Sequence, residues 1–333
     1  MSTTTTASPA SPANGTTASG TPRRLLRGLP WVIYRRHRGL LITALLITLA
    51  GCATFLYQRF GVMDFLHAKG STPDDDGKLS TSFADAFNSM FSRDISFLEF
   101  LPGAVAVFVG APLIAGEQER GTIKLVTTQS SGRGRWITTT LGLPLAVMAV
   151  CTALLAVTFR RLWFPAHELV MGGDWLMGGA FETTGPGLVA MTLFLTACGI
   201  GLGLLIKRVV PAMAATAVLS FVITTIWTEK VRQQLGAFRS MTYPEGSSHR
   251  LPRGAVEIDQ WVATADGKLY GYGTCTGRDY EACRAKLGIV NRVSQYFDFS
   301  QLAGMQWRGA GILLALTAIV LALVVWRVRR RPL

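Results

Sequence analysis

The sequence predicts an all-α polytopic membrane protein with six transmembrane helices and both termini in the cytoplasm. It also predicts a small extracellular subdomain, with a β-hairpin, between the fifth and sixth spans. Three observations support this fold class: long apolar blocks, a one-sided distribution of basic residues, and a single large polar segment near the C-terminus. Of the 333 residues, 49% are hydrophobic and 16% are charged, whereas soluble domains carry about 25% charged residues.

The apolar residues fall into six blocks that are nearly free of charge. A bilayer core about 30 Å thick is crossed by about 20 helical residues. Inside lipid, every backbone amide must be paired within its own element, so such blocks form helices. Helices of a soluble core would explain one or two blocks but not all of them. The predicted spans are Leu40–Tyr57, Phe97–Ala115, Trp136–Phe159, Gly187–Ile206, Val209–Trp227 and Gly309–Trp326.

The net charge of +13 is concentrated on one predicted face of the membrane. With cytoplasmic termini, the inner segments hold 16 of the 33 basic residues and only two acids, Glu117 and Glu119. The outer segments hold 17 basic residues and 17 acids, and the Arg160–Arg161 pair is a local departure from the pattern. This excess follows the positive-inside rule. It predicts a multi-pass protein of the cell membrane that contacts lipid and no nucleic acid.

Both ends of the chain are predicted to lie outside the spans. Residues 1–22 are small, polar or Pro and carry no charge, so they predict a disordered cytoplasmic tail. Residues 23–38 read "RRLLRGLPWVIYRRHR", which predicts a basic interfacial helix broken near Pro30. The alternative is a plain positive flank that only orients the first span. Residues 328–333 form a short basic cytoplasmic tail in this prediction.

Three features of the spans suggest structural roles. The "LAGC" ending at Cys52 resembles a lipoprotein signal, but the apolar run continues past it, so helix packing is the favoured role. The "SFLE" of Ser96–Glu99 reads as a capping box at the start of the second span, which would explain Glu99 without a functional role. Pro102 and Pro112 predict kinks in that span.

The fourth and fifth spans are predicted to form a tight antiparallel hairpin, because only Lys207 and Arg208 separate them. Gly199 and Gly203 form a G-x-x-x-G pair in the fourth span. Such a pair allows close contact with a neighbouring helix.

The polar segment 228–308 is predicted to fold outside the membrane. In "EIDQWVATADGKLYGYG", apolar and polar residues alternate around Asp266-Gly267, a dipeptide that suits a hairpin turn. Cys275 and Cys283 are the only cysteines outside the spans. An external location allows a disulfide, so we predict that they pair; the alternative is two free cysteines on a short helix.

The sequence offers no catalytic or metal-binding constellation. In "GEQERGTIK", Gly116 and Gly121 have the spacing of a phosphate-binding loop, but Thr122 replaces the required lysine and Lys124 comes two residues late. The four histidines are isolated along the chain: His37, His67, His167 and His249. We therefore expect no enzymatic activity and no cofactor on this chain.

The loop between the second and third spans, residues 116–135, remains as a candidate contact site. It holds both acids of the cytoplasmic face next to an apolar patch of Ile123, Leu125 and Val126. An apolar centre with a charged rim suits docking of a protein partner. The alternative is a solvated turn between two helices.

This loop carries a family resemblance. The segment "APLIAGEQERGTIKLVTTQSSGRGRW" resembles the permease subunits of type-2 ABC exporters, most closely those of actinobacterial type. There an acidic residue and "ERGT" lead a coupling helix that docks on a separate ATPase. The segment that leads into the last span, "VSQYFDFSQLAGMQWRGAGILL", also resembles this class. The resemblance implies these ATPase-coupling residues: Glu117, Glu119, Arg120, Gly121, Thr122, Ile123 and Val126.

The resemblance implies a permease subunit of an ATP-driven exporter, paired with a second permease and with a cytoplasmic ABC ATPase that carries the ATP and Mg²⁺. The alternative is a signalling or mechanotransmission subunit that moves no substrate; a lipid-modifying enzyme would need catalytic polar clusters that the spans lack. The spans also show no strongly polar lining, which suggests a hydrophobic or amphipathic cargo. The sequence identifies no substrate-binding residue.

Overall fold

The computed structural model describes residues 29–69, 76–120, 133–247, 251–275 and 279–330. The fold is 76% helical with a small antiparallel sheet near the C-terminus. Six helical segments are long and apolar enough to cross a membrane, which confirms the predicted number. We call them spans 1 to 6; in order they are Arg38–Ala68, Lys78–Glu119, Thr140–Ala166, Pro186–Ile206, Val209–Leu235 and Phe299–Arg330.

The α-helices of the described residues extend beyond the predicted spans at several ends. They are α1 (Leu29–Lys69), α2 (Asp76–Val105), α3 (Ala111–Glu119), α4 (Arg133–Trp163), α5 (Ala180–Thr183), α6 (Pro186–Ile206), α7 (Val209–Ile226), α8 (Tyr280–Leu287) and α9 (Leu302–Arg330).

Helix α1 is described from Leu29, directly before Pro30, and runs without interruption to Lys69. Residues 29–38 therefore continue directly into the helix that contains span 1. The predicted tail 1–22 and residues 23–28 lie outside the described residues. At the other end α9 continues to Arg330, so part of the predicted basic tail is helical.

Helix α2 begins at Asp76, far ahead of the predicted second span. The predicted capping box is therefore wrong, because Ser96 and Glu99 lie in the interior of a helix whose amides are already paired. Span 2 has 42 residues, so it measures about 63 Å at 1.5 Å per residue. That is about twice the thickness of a bilayer core, so the helix projects beyond the membrane.

The projecting ends of α1 and α2 are held together by aromatic side chains. The ring centroid of Phe65 lies 5.8 Å from that of Phe83 and 5.3 Å from that of Phe87. Phe83 and Phe91 are fully buried. Their spacing of four and eight residues places Phe83, Phe87 and Phe91 on one face of the helix.

Between the two prolines of span 2 the helix widens into a π-type turn, Ala106–Gly110. The amide of Ala111 donates to the carbonyl of Ala106. Pro112 then lies in the first turn of α3. A single wide turn accommodates the missing amide of a proline and re-aims the helix.

Span 2 packs directly on span 4 at this wide turn. A Cβ atom built on Gly199 would lie 2.7 Å from the carbonyl oxygen of Ala106, and one on Gly203 would overlap the carbonyl oxygen of Ala111. On the facing side, a Cβ on Gly110 would lie 2.7 Å from the carbonyl oxygen of Thr196. Only glycine lets these backbones approach so closely.

The turn between spans 4 and 5 consists of Lys207 and Arg208. Lys207 adopts a left-handed conformation with φ of 63°. Its amide donates to the carbonyl of Gly203 at 3.2 Å, which closes the end of α6. The two spans therefore form an antiparallel hairpin.

The sheet has four antiparallel strands in the order β1-β4-β2-β3. The predicted hairpin is confirmed as β2 and β3, and Gly267 in its turn has φ of 86°. Strands β1 and β4 were not predicted. The strands are β1 (Arg239–Pro244), β2 (Val256–Thr264), β3 (Leu269–Gly271) and β4 (Ile289–Phe297).

A disulfide joins Cys275, after β3, to Cys283 of helix α8, with Cα atoms 5.8 Å apart. Cys275 is buried with Val262 of β2 and Ile289 of β4. The bridge therefore fixes α8 against the sheet.

The sheet is attached to the helices by an aromatic cluster. The ring of His167, beyond span 3, stacks on Phe299 at the start of span 6 with centroids 4.2 Å apart. The indole of Trp175 donates to the carbonyl of Gly254 at 2.9 Å. We call this end of the bundle the sheet end, and the end at Glu119 the coupling end.

Candidate functional site

The coupling end contains the described part of the predicted ATPase-coupling segment. Helix α3 ends at Glu119, and Arg120 follows in a turn. Glu119 and Arg120 are exposed, whereas Glu117 is only 5% exposed. Four predicted coupling residues lie outside the described residues: Gly121, Thr122, Ile123 and Val126.

Glu119 connects span 2 to span 5. Its Oε2 atom accepts a hydrogen bond from the backbone amide of Val209 at 3.2 Å. Val209 begins helix α7, and a carboxylate is favourable at the positive N-terminal end of a helix. The end of span 2 and the start of span 5 are thus tied together. The exposed charge of Arg120 lies next to this contact. The docking of an ATPase by Glu117, Glu119 and Arg120 remains a prediction.

A buried ion pair at the sheet end was not predicted. Nη1 of Arg232, in span 5, donates to both carboxylate oxygens of Glu182, in α5, at 3.2 Å. The two side chains are 6% and 15% exposed, respectively. Nη2 of Arg232 donates to Sδ of Met177 at 3.3 Å. Fifty residues separate the two charges along the chain, so no sequence pattern indicated the pair.

The surroundings of Glu182 disfavour its ionised form. Burial raises the pKa of Glu182 from its ordinary value to about 7. The charge of Arg232 opposes that rise, and the charge of Glu99 adds to it. The carboxyl group of Glu182 therefore changes between its protonated and ionised forms near neutral pH.

Beside this pair lies a cavity of about 240 Å³ between spans 2, 4 and 5. We call it the glutamate cavity, because Glu99 and Glu182 both line it. The expectation that the spans show no strongly polar lining is wrong at this place, because the fold brings together two acids that are distant in sequence. Its other lining residues are Leu98, Pro102, Thr183, Leu188, Met191, Thr224, Thr225, Trp227 and Thr228.

Glu99 is the link between the glutamate cavity and the surface of the bundle. It also borders an open groove of about 360 Å³ between spans 2 and 5. Three exposed phenylalanines line or flank this groove: Phe100 at 70%, Phe108 at 62% and Phe221 at 72% exposure. The position of an ionisable residue within a span was the sequence signal for this site, and the mistaken capping box concealed it.

Within the described ranges, no group of three or more His, Cys, Asp or Glu side chains could hold a metal ion. The structure therefore gives no geometric support to a metal centre in those ranges.

Comparisons with known proteins give one match. No curated protein and no solved structure matches the chain. The family model described as "ABC-2 membrane transporter related" matches residues 45–232. The match covers more than half of the 333 residues and includes most of spans 1 to 5, together with the segment between spans 2 and 3. Because the match covers more than half of the chain, the chain belongs to the ABC-2 membrane transporter related family.

Proposed function

We propose that the chain is the membrane-spanning permease subunit of an ATP-driven exporter in the cell membrane. A separate ABC ATPase binds ATP and Mg²⁺, and this chain carries the substrate path. The observation that carries the proposal is the family match over residues 45–232, which includes the coupling segment as well as the spans that it would move.

The contacts at the coupling end support transmission of movement into several helices at once. The Glu119–Val209 hydrogen bond ties span 2 to span 5. The close backbone contacts at Gly199 and Gly203 tie span 2 to span 4. A displacement of the segment Glu117–Val126 by the ATPase would therefore move these three spans together. ATP binding needs to favour one arrangement by only a few kcal/mol to shift the population.

The groove between spans 2 and 5 supports pairing with a second permease subunit, either a copy of this chain or a paralogue. Phe100, Phe108 and Phe221 present a large apolar surface along the groove. Glu99 borders the same groove, and ionisable residues in spans generally face a bundle interior rather than lipid. A second subunit over this face would enclose Glu99.

Co-purification with a co-expressed candidate ABC ATPase tests the coupling contact. Arg120→Glu reverses an exposed charge at the coupling end, and Arg253→Glu makes the same change at the exposed sheet end. We expect Arg120→Glu to reduce ATPase recovery several-fold, because rim charges contribute to docking, and Arg253→Glu to leave it unchanged. Equal recovery with both variants, or no ATPase with wild type, would contradict the proposal.

A further inference from the structure

We propose that the glutamate cavity binds a hydrophobic amine in its protonated, cationic form. The binding site stands on the geometry of this chain alone. That the amine is also the transported cargo rests on the proposed function. The site lies between spans 2, 4 and 5, about 30 Å along span 2 from the coupling end, at 1.5 Å per residue.

The first argument is charge. Glu182 is paired with Arg232, whereas Glu99 has no hydrogen bond or ion pair among the described residues. No Lys or Arg belongs to the lining of the cavity. When both acids are ionised, two carboxylates and one guanidinium leave a single negative charge uncompensated. Glu99 is exposed on the bundle, so within the membrane its charge would face lipid, and a cation in the cavity would balance it.

The second argument is the direction of the hydrogen bonds. The hydroxyl of Thr183 donates to the carbonyl of Gly179 at 2.9 Å, that of Thr224 to Ser220 at 2.9 Å, and that of Thr228 to Thr224 at 3.0 Å. Because their protons are donated within their own helices, these hydroxyls can act toward a ligand only as acceptors. An ammonium group supplies up to three donors and no acceptor, which matches this lining.

The third argument is the shape and chemistry of the walls. Leu98, Pro102, Leu188 and Met191 provide apolar surface, and the indole of Trp227 provides an aromatic wall. An aromatic ring also stabilises a nearby cation. A volume of about 240 Å³ suits a small arylalkyl body. Glu99 borders both this cavity and the groove between spans 2 and 5, so the cavity lies directly beside the groove.

Equilibrium dialysis of the purified full chain in phosphatidylcholine nanodiscs tests the site. The probe is radiolabelled 4-phenylbutylamine, and the matched neutral probe is 4-phenylbutanol. We expect saturable amine binding that Glu99→Gln weakens about tenfold or more, because a charge-assisted hydrogen bond is lost. The control Glu229→Gln removes an exposed carboxylate near the same end of span 5 and should stay within about twofold of wild type.

Glu99→Asp keeps the charge and should retain most of the amine affinity, which separates a binding role from a structural one. Equal binding of the amine and the alcohol by wild type would overturn the proposal, as would equal amine affinity of Glu99→Gln and Glu229→Gln. The assay needs no ATPase. Amine binding without ATPase co-purification would leave the site standing and refute the transport function, and the reverse result would refute only the site.

Discussion

At the scale of single residues, the buried ion pair of Arg232 and Glu182 leads to a prediction about the stability of the fold. Arg232→Met should lower the free energy of unfolding by about 3–5 kcal/mol at pH 8, because it leaves a buried carboxylate without its partner. Adding Glu182→Gln should recover much of that loss. Thermal unfolding followed by tryptophan fluorescence measures both effects, with the exposed Lys230→Met as control. A loss no larger than that of Lys230→Met would show that the pair is not needed.

The proton on Glu182 gives the same site a pH dependence. Its pKa is about 7 in the folded chain, against an ordinary value of 4.5, so the folded state binds the proton more tightly than the unfolded state. Stability from this group is fully present below about pH 4.5 and is lost as the pH rises through about 7. Arg232 and Glu99 are the charges that act on it.

We therefore expect the melting temperature of wild type, relative to Glu182→Gln, to fall between pH 5 and pH 8. The difference corresponds to about 3 kcal/mol, since each pKa unit is worth about 1.4 kcal/mol. Melting curves of both proteins across this range measure it. A difference that is constant with pH, or that grows toward pH 8, would contradict the assignment.

Residue-level prediction from the sequence was limited by distance along the chain. Glu99 was visible as an ionisable residue in a span, but local spacing suggested a cap and gave it a structural role. Glu182 and Arg232 carry no local signal, since only the packing of α5 against span 5 brings them within 3.2 Å.

At the scale of elements, the contact between spans 2 and 4 depends on glycine at two positions. Gly199→Ala places a Cβ 2.7 Å from the carbonyl oxygen of Ala106. Overlap of this kind typically costs about 1–3 kcal/mol, which exceeds the gain of about 1 kcal/mol in helix propensity. Gly201→Ala is the matched control, because its nearest neighbours lie 3.9 and 4.0 Å away.

We expect Gly199→Ala to lower the melting temperature and Gly201→Ala to leave it unchanged or raise it slightly. Thermal unfolding in detergent compares the two. If both substitutions shifted the melting temperature in the same direction by the same amount, the close contact at Gly199 would not determine stability.

Helices and strands could be predicted where a single hydrophobic pattern dominated a segment of the sequence. Long apolar runs predicted all six spans, and Asp266-Gly267 predicted one hairpin. The projecting part of α2 was missed because it is amphipathic, although Phe83, Phe87 and Phe91 recur at helical spacing. Strand β4 carries an alternating pattern in "VNRVSQYF", but its partners β1 and β2 lie far away in sequence.

At the scale of the whole molecule, we predict from the even number of spans that both termini lie on one side of the membrane. The excess of basic residues predicts that this side is the cytoplasm. A green fluorescent protein fused after Leu333 should fluoresce, and alkaline phosphatase inserted at the exposed turn of Gly246 should be active. A dark green fluorescent protein at Leu333 together with an inactive phosphatase at Gly246 would contradict this topology.

The pairing of two permease subunits is the second prediction at this scale. In a background with Cys52, Cys151 and Cys198 changed to Ser, Phe221→Cys should form a cross-linked species on oxidation, because Phe221 lies on the apolar groove. Leu46→Cys, at 60% exposure on span 1, is the control and should not cross-link. An adduct of twice the chain mass indicates a homodimer, and another mass indicates a paralogue. Equal cross-linking of both variants would contradict a specific interface.

The two-residue turn at Lys207 and Arg208 also constrains how the chain is made. Two residues reach at most about 7 Å, so the ends of spans 4 and 5 cannot separate during synthesis. When span 4 enters the bilayer, span 5 must follow beside it and in the opposite direction. In the predicted topology the basic turn stays on the cytoplasmic side, so we expect span 5 to insert directly beside span 4 before any other span can come between them.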